Sequence, residues 1–432
     1  MTDIIDDLTW RGLIAVHTDL DDLRKELDAG VVTFYCGFDP TAPGLHIGNL
    51  VQLLTMRRLQ QAGHQPIAIV GGATGLIGDP GGKSAERVLN PRELVAEWVG
   101  RIRGEVNRFL DFSEGPSGAT VVSNMDWTEQ LSAIDFLRDI GKHFPVNQML
   151  SREVVRARLE AGGISYTEFS YQILQANDYL ELHNRFGCSL QIGGSDQWGN
   201  LVSGVDLIRR VTGDTVHALA TPLITKPDGT KYGKTEGDAV WLSQDLMSSY
   251  AFYQYWLNRA DAEMPGLLRV FSFRSRPEIE ELEAEIAERP QARRAQRLLA
   301  VELTTLVHGE AELARVQTAS QALFGQGDLR ALDAATLAAA VAEVPNAEVR
   351  LAPAEDLPPV ADLMAACGIV PSKSGARRVI AEGGAYLNND KVTFEDAVPS
   401  VDDLLHGEFL VLRRGKRTVG VVRVLPASRR AE

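Results

Sequence analysis

Short apolar runs alternate with amphipathic stretches from residue 31 to about residue 225. "VVTFYCGF", "HQPIAIVGGATG", "ATVVSN", "CSLQIGG" and "TPLIT" read as buried strands. The stretches between them carry helical spacing, so the rhythm is that of a parallel sheet with crossover helices. From residue 245 to 325 the pattern changes. "SSYAFYQYWLN", "PEIEELEAEIAER" and "QARRAQRLLAVELTTLVHG" keep helical spacing with no strand-like run between them, which predicts an all-helical domain. The stretch "GQGDLRALDAATLAAAVAEVPNAEVRLAPAEDLPPV" is rich in Ala, Asp, Glu and Pro and poor in aromatics, so it reads as a linker with one weak helix. A compact module of roughly 65 residues follows from near Val360. The expected division is therefore 1–225, 226–325, a linker at 326–359, 360–426 and a tail at 427–432.

A chain of 432 residues that is 44% hydrophobic supports two or three domains with substantial cores. It has no uninterrupted apolar stretch of membrane-spanning length. The start "MTDIIDDLTWRG" lacks the basic head and apolar middle of a signal peptide, so a cytoplasmic protein is expected. Cys36, Cys188 and Cys367 lie far apart and form no disulfide framework, which agrees with a reducing compartment. The histidines and cysteines show neither H-E-x-x-H nor C-x-x-C spacing, and no metal site is expected. A net charge of −14 argues against indiscriminate binding of nucleic acid, DNA included. Residues 371–432 nevertheless hold 11 Lys or Arg against 8 Asp or Glu, a local +3 that leaves −17 for the rest. Any polyanion contact should be local, and the C-terminal end is one candidate.

Five segments carry candidate chemistry. In "GFDPTAPGLHIGN", residues 37–49, a strand delivers the chain to Asp39, Pro40 and Thr41. A helix is expected from about Leu45 to a stop at Gly63, with His46 in its first turn. Free N–H groups and the helix dipole favour an anion beyond that turn. Gly44 and Gly48 would leave room for a close approach, and His46 and Asn49 add side-chain donors. Alone, the stretch reads more readily as an ordinary glycine turn than as a phosphate site. "GDPGGKS", residues 78–84, resembles a Walker A loop but has three residues between its glycines where that motif needs four. It still follows the apolar run "IAIV", at a strand end where open sheets bind ligands. Lys83 and Arg87, four apart, share a face that suits either phosphate or solvent. "KYGKT", residues 231–235, puts two lysines on a loop, which suits charge developing on transferring phosphate oxygens. "SYQILQAND" aligns Tyr171, Gln175 and Asp178 on one helix face. That polar stripe faces either solvent or a pocket, and its lack of Lys, Arg and Glu speaks against solvent. "QIGGSDQWGN" sets Asp196 and Gln197 at a strand–helix junction, as a cap or as a ligand site.

In this order the segments resemble the bacterial tyrosyl-tRNA synthetases, which are class I aminoacyl-tRNA synthetases, over essentially the whole chain. "HIGN" resembles the HIGH signature and "KYGKT" the KMSKS signature in its tyrosyl form; "SYQILQAND" and "LQIGGSDQWGN" are more specific. The resemblance implies an α/β fold, with a Rossmann-like parallel-sheet catalytic domain followed by an all-helical domain and a small α+β S-four RNA-binding domain. It implies that L-tyrosine and ATP give tyrosyl-adenylate and pyrophosphate, with Mg2+ accompanying ATP, before tyrosine passes to tRNA(Tyr). By the same resemblance Tyr35 and Asp178 meet the phenol, Asp79, Tyr171 and Gln175 the ammonium group, and Gln197 the carboxylate. Gly37, Asp39, Gly48, Asn49, Gly193, Asp196 and Lys234 would line ATP, with Gly193 and Asp196 at the ribose. Thr41 and His46 would meet the γ-phosphate side, and Lys83, Arg87, Lys231, Lys234 and Thr235 the leaving pyrophosphate. The family is homodimeric, one tRNA spanning both subunits. "VADLMAACGIVPSKSGARRVIAEGGAYLNNDKV" resembles the S-four RNA-binding fold and offers Lys373, Arg377 and Arg378 to RNA. There Ser372 or Ser374 is expected to cap a helix, and Asn388 to Asp390 to turn a hairpin. Two rivals remain: a tryptophanyl or other adenylyl-transferring enzyme, and a non-catalytic RNA-binding protein. The Tyr35 and Asp178 pairing disfavours the first, and intact His46 and "KYGKT" lysines the second.

Overall fold

The computed structural model describes residues 3–79, 89–225, 239–352 and 356–426. The chain forms two compact units. One joins Met1–Met247 to Arg259–Leu299, and the other joins Ser248–Asn258 to Ala300–Glu432. The stretch expected as one helical domain is thus divided between them.

The first unit is built on a six-stranded sheet of β1 (Val16–His17), β2 (Thr33–Phe38), β3 (Gln65–Val70), β4 (Thr120–Ser123), β5 (Leu190–Gly194) and β6 (His217–Thr221). Their order is β1-β6-β5-β2-β3-β4, with β1 antiparallel to β6 and every other neighbour parallel. Buried Phe34, Tyr35, Ile67, Ile69, Leu190 and Ile192 explain why the central strands read as continuous apolar runs. The expected strand "TPLIT" lies elsewhere: the strand precedes it, as "HALAT", and shares Thr221 alone with it. Small Ala218 and Ala220 give little apolar signal, and Pro222 has no N–H for the ladder. The chain builds β2, β3 and β4 outward on one side, then returns to build β5 and β6 on the other. Strand order reverses between β2 and β5, and their carboxyl ends flank a crevice.

Two helices bring side chains to that crevice. The Ile47–Gln61 helix begins two residues later than expected, so His46 is not in its first turn but is its N-cap, in extended conformation. His46 Nδ1 accepts the Gly48 N–H at 3.0 Å while Asn49 Oδ1 accepts the His46 N–H at 3.0 Å, a reciprocal cap. The Tyr166–Phe186 helix starts at Ser165, whose hydroxyl accepts the Glu168 N–H, and stops at left-handed Gly187.

In the second unit the Ser249–Leu257, Glu310–Leu323 and Ala334–Ala342 helices pack together. Beyond them comes a sheet of β7 (Asn346–Leu351), β8 (Ala385–Leu387), β9 (Asp390–Lys391), β10 (Phe409–Arg414) and β11 (Thr418–Pro426), in the order β7-β11-β10-β8-β9. The stretch read as a linker therefore supplies a packed helix and an edge strand, β7, parallel to β11. Exposed Asn346, Glu348 and Arg350 alternate along β7, so it carries no apolar run to announce it. Leu363, Met364, Ile380, Leu410, Leu412 and Val422 form the core of this module. Ser372 rather than Ser374 caps the Lys373–Ala381 helix. The hairpin turn is narrower than expected: Asn388 and Asn389, with φ of 49° and 74°, make it, and Asp390 already belongs to β9.

Candidate active site

Each parallel strand from β2 to β5 delivers polar groups to the crevice at its carboxyl end. Tyr35 and Gly37 lie on β2 with Asp39 just beyond it, and β3 leads through the Thr74–Ile77 helix to Asp79. Asn124 follows β4; Gly193 lies on β5, and Asp196 and Gln197 follow it. From the facing side the Tyr166–Phe186 helix turns its polar stripe inward. Tyr171 and Asp178 are 5% and 4% exposed, so that stripe is turned into the protein rather than toward solvent.

A continuous chain of hydrogen bonds crosses the pocket floor. Tyr171 Oη donates to Asp39 Oδ2 at 2.7 Å, and Thr74 Oγ1 donates to Asp39 Oδ1 at 2.6 Å. Asn124 Nδ2 donates to Thr74 Oγ1 and to Asp178 Oδ2, each at 2.9 Å, and Trp127 Nε1 donates to Asp178 Oδ1 at 2.8 Å. Asn124 is itself fixed, its Oδ1 accepting the Ala73 N–H. Asp39, expected beside ATP, thus engages both carboxylate oxygens inside the protein. Burial pushes the Asp178 carboxyl up to about 7, against the pull of the Asn124 and Trp127 hydrogen bonds. Burial, then the neighbouring Asp178 charge, holds the Tyr35 phenol well above its usual range; for Tyr171 the causes are burial and Asp39.

Three side-chain atoms here are buried without a hydrogen-bond partner: Tyr35 Oη, Gln175 Oε1 and Gln191 Oε1. Such atoms are costly unless a ligand meets them. The Tyr35 ring packs against Tyr179 with centroids 5.1 Å apart. At the mouth, Gln197 Nε2 donates to Asp79 Oδ2 at 2.5 Å, and Asn200 Nδ2 donates to Gln197 Oε1. Asp39, Asp79 and Asp178 bring three carboxyl groups to this region of the fold.

The His46 cap decides its tautomer. With Nδ1 accepting from Gly48, the neutral ring carries its proton on Nε2, as a donor. The glycines serve packing more than access. A Cβ on Gly48 would meet the His46 ring at 2.8 Å, one on Gly44 would meet Glu105 Oε1 at 2.9 Å, and one on Gly193 would meet Leu201 at 3.1 Å. Gly37 alone of these faces open space within 4 Å. Thr41 is exposed on the loop before His46. Lys83, Arg87, Lys231, Lys234 and Thr235 lie outside the described residues. Both flanks of the "KYGKT" stretch nevertheless meet the His46 region: Thr221 Oγ1 accepts from Gln52 Nε2, while Ile47 N–H donates to Val240 O and Leu242 N–H to Leu45 O.

A family model for class I tRNA synthetases (W and Y) matches residues 28–325, and one for the tyrosine–tRNA ligase SYY-like C-terminal domain matches residues 336–422. The tyrosine–tRNA ligase of Streptomyces coelicolor is 62% identical over 99% of this chain and 100% of its own length. The chain belongs to the tyrosine–tRNA ligase family. A second family member, from Thermobifida fusca, is 60% identical over 98% of this chain and 99% of its own. Among solved structures, a C-terminally truncated mitochondrial tyrosyl-tRNA synthetase from Aspergillus nidulans is similar at 27% identity and a TM-score of 0.68, covering 74% of this chain and 94% of that one. As a tyrosine–tRNA ligase the chain is an aminoacyl-tRNA synthetase that works with tyrosine, ATP and tRNA.

Three residues of this hydrogen-bonded chain, Thr74, Asn124 and Trp127, are not singled out by the sequence. Their signal is faint: a polar residue directly after an apolar strand in "TVVSN", and a tryptophan three residues on. In the C-terminal module Lys373, Arg377 and Arg378 are all exposed, but Lys373 pairs with Asp362 at 2.8 Å and Arg378 with Glu382 at 2.9 Å. No helix among the described residues is long and apolar enough to cross a membrane.

Proposed function

We propose that this ligase selects L-tyrosine through Tyr35 and Asp178, and that its remaining site residues act on ATP as follows. The buried, unpartnered Tyr35 hydroxyl near a carboxylate raised by burial is the observation that carries the reading. Asp178 accepts the substrate hydroxyl's proton, and Tyr35 donates to its oxygen. Phenylalanine, which lacks the hydroxyl, would leave Tyr35 Oη buried and unmatched and Asp178 without its third donor, a larger loss than the small change in size suggests. Asp79, Tyr171 and Gln175 hold the ammonium group, and Gln197 lies by the carboxylate.

A tyrosine carboxylate oxygen attacks the α-phosphorus of ATP in line. One P–O bond forms as the bond to the bridging oxygen of the β-phosphate breaks, and pyrophosphate leaves with the electron pair. Thr41 and the Nε2–H of His46 meet the γ-phosphate side, while Lys83, Arg87, Lys231, Lys234 and Thr235 take up the charge of the leaving group. Gly193 and Asp196 hold the ribose, and Gly37, Gly48 and Asn49 border the nucleotide. A hydroxyl of the 3′-terminal adenosine of tRNA(Tyr) then attacks the carbonyl carbon, loses its proton, and AMP departs. Mg2+ would arrive with ATP and take its oxygens mainly from the phosphates. Lys373, Arg377 and Arg378 meet RNA. The molecule is a cytoplasmic homodimer in this reading, and exposed Ile134, Leu137, Val146 and Leu150 within one short stretch support a covered face.

The test is pyrophosphate exchange into ATP with each amino acid in turn, followed by charging of tRNA(Tyr). Exchange with tyrosine is expected, and Tyr35→Phe should narrow the tyrosine-to-phenylalanine ratio more than it lowers the maximum rate. Exchange with tryptophan and not tyrosine would sink the assignment. An unchanged ratio would remove Tyr35 from the phenol site.

A further inference from the structure

Leu45, immediately before His46, is held from both sides of its peptide. Its C=O accepts the Leu242 N–H at 2.9 Å, and its buried N–H donates to Glu105 Oε2 at 2.8 Å. Glu105 lies near the end of the Arg92–Val106 helix and is 6% exposed, and it makes no hydrogen bond to the pocket floor of Asp39, Thr74, Asn124 and Asp178. Its carboxylate reaches the loop because residue 44 is glycine; a Cβ there would lie 2.9 Å from Oε1 and 3.0 Å from the Leu246 side chain. One helical turn earlier, Arg101 donates to Asp245 at 2.9 Å. A single helix thereby holds the backbone before His46 and the segment that follows "KYGKT".

We infer that Glu105 is a positioning residue of adenylate formation: by fixing the Leu45 N–H it sets where the His46 ring meets the phosphates of ATP. The inference rests on the proposed role of His46. Losing the acceptor would leave a buried N–H unmatched and let the loop shift, and a displacement of about 1 Å at a reacting group costs on the order of 100-fold in rate. Tyrosine binding, which uses other elements, should be spared.

The test measures pyrophosphate exchange, the KM for each substrate and equilibrium tyrosine binding in the full chain. Glu105→Ala should lower kcat roughly 10- to 100-fold with tyrosine affinity within about twofold. Glu105→Gln, whose amide oxygen accepts the same N–H, should recover most of the rate. In a His46→Ala background Glu105→Ala should cost little more, because the two act as one unit. Glu105→Asp retracts the carboxylate by one methylene and should show the same loss of kcat if the alanine chain does not fold. Wild-type kcat in the aspartate or alanine variant, an equal fall in tyrosine affinity, or additive losses with His46→Ala would each overturn the inference. A wild-type rate in His46→Ala alone would instead overturn the role of His46.

Discussion

Asp178 sits under opposing demands. In the proposed role it accepts a hydrogen bond from the substrate phenol best when charged, yet it is almost wholly buried, and burial raises it to about 7 despite two donors. Above about 7 it is ionised and accepts; below, the added proton competes with Asn124, Trp127 and the substrate hydroxyl for its oxygens. Tyrosine affinity should therefore fall as pH drops from 8 to 6, while phenylalanine, which has no hydroxyl, should not follow. Asn124→Ala removes a hydrogen bond that favours the charged form, so the midpoint should move upward, and tyrosine should bind about tenfold more weakly at pH 7. Equilibrium binding of both amino acids from pH 5.5 to 9 reads this, and an unmoved midpoint in the variant would contradict it. At this scale the sequence is readable where one element supplies several groups: Tyr171, Gln175 and Asp178 share a helical face, and spacing alone aligns them. Asn124, Trp127 and Thr74 act only through contact, reached from separate strand ends, and no spacing connects them.

Among elements, β2, β3 and β5 are visible in the sequence because parallel strands covered on both faces read as apolar runs, while β4, half-buried at the sheet edge, shows itself only through the β-branched run of Thr120, Val121 and Val122. β1, with two residues, and β7, half exposed at an edge, carry no such signature. Helix-to-helix distance is equally hidden. The Tyr166–Phe186 helix lies so close to the Trp198–Val211 helix that a Cβ on Gly204 would fall 2.8 Å from Tyr179 Cδ1 and 3.0 Å from Tyr179 Cβ. Tyr179 cannot yield easily: it is fully buried, its hydroxyl donates to His217 O at 2.8 Å, and its ring packs on Tyr35. Alanine in mid-helix would gain about 1 kcal/mol of propensity, but overpacking here typically costs about 1–3 kcal/mol, so Gly204→Ala should lower stability. Because the displaced ring backs Tyr35, the KM for tyrosine should rise more than the KM for ATP. Thermal melting with both KM values checks this; a more stable chain with unchanged tyrosine KM would show that the two helices part without cost.

Across the whole molecule, every described residue of the proposed tyrosine and ATP site belongs to the first unit, and the β7–β11 sheet belongs to the second. Composition points the same way, since the excess of cations at residues 371–432 stands against an acidic remainder. The structure moves the natural boundary. A cut at Val360, where the sequence suggests the module begins, would keep β7 and strip it of β11, leaving a strand edge open to aggregation. The Ala334–Ala342 helix, by contrast, buries Leu337, Ala340 and Val341 against its helical neighbours and should stay with them. Ending the chain after Glu343 removes the sheet whole. That variant should retain pyrophosphate exchange within about threefold, because no group of the proposed adenylation site is lost, while charging of tRNA(Tyr) falls by tenfold or more as backbone contacts with RNA disappear. The ending after Pro359 should express less well than the ending after Glu343, since it keeps β7 without a partner. Measuring exchange, charging and soluble yield for the two endings separates the possibilities. Loss of exchange in proportion to charging would mean that the sheet supports the adenylation site itself, and unchanged charging would mean that RNA is held elsewhere.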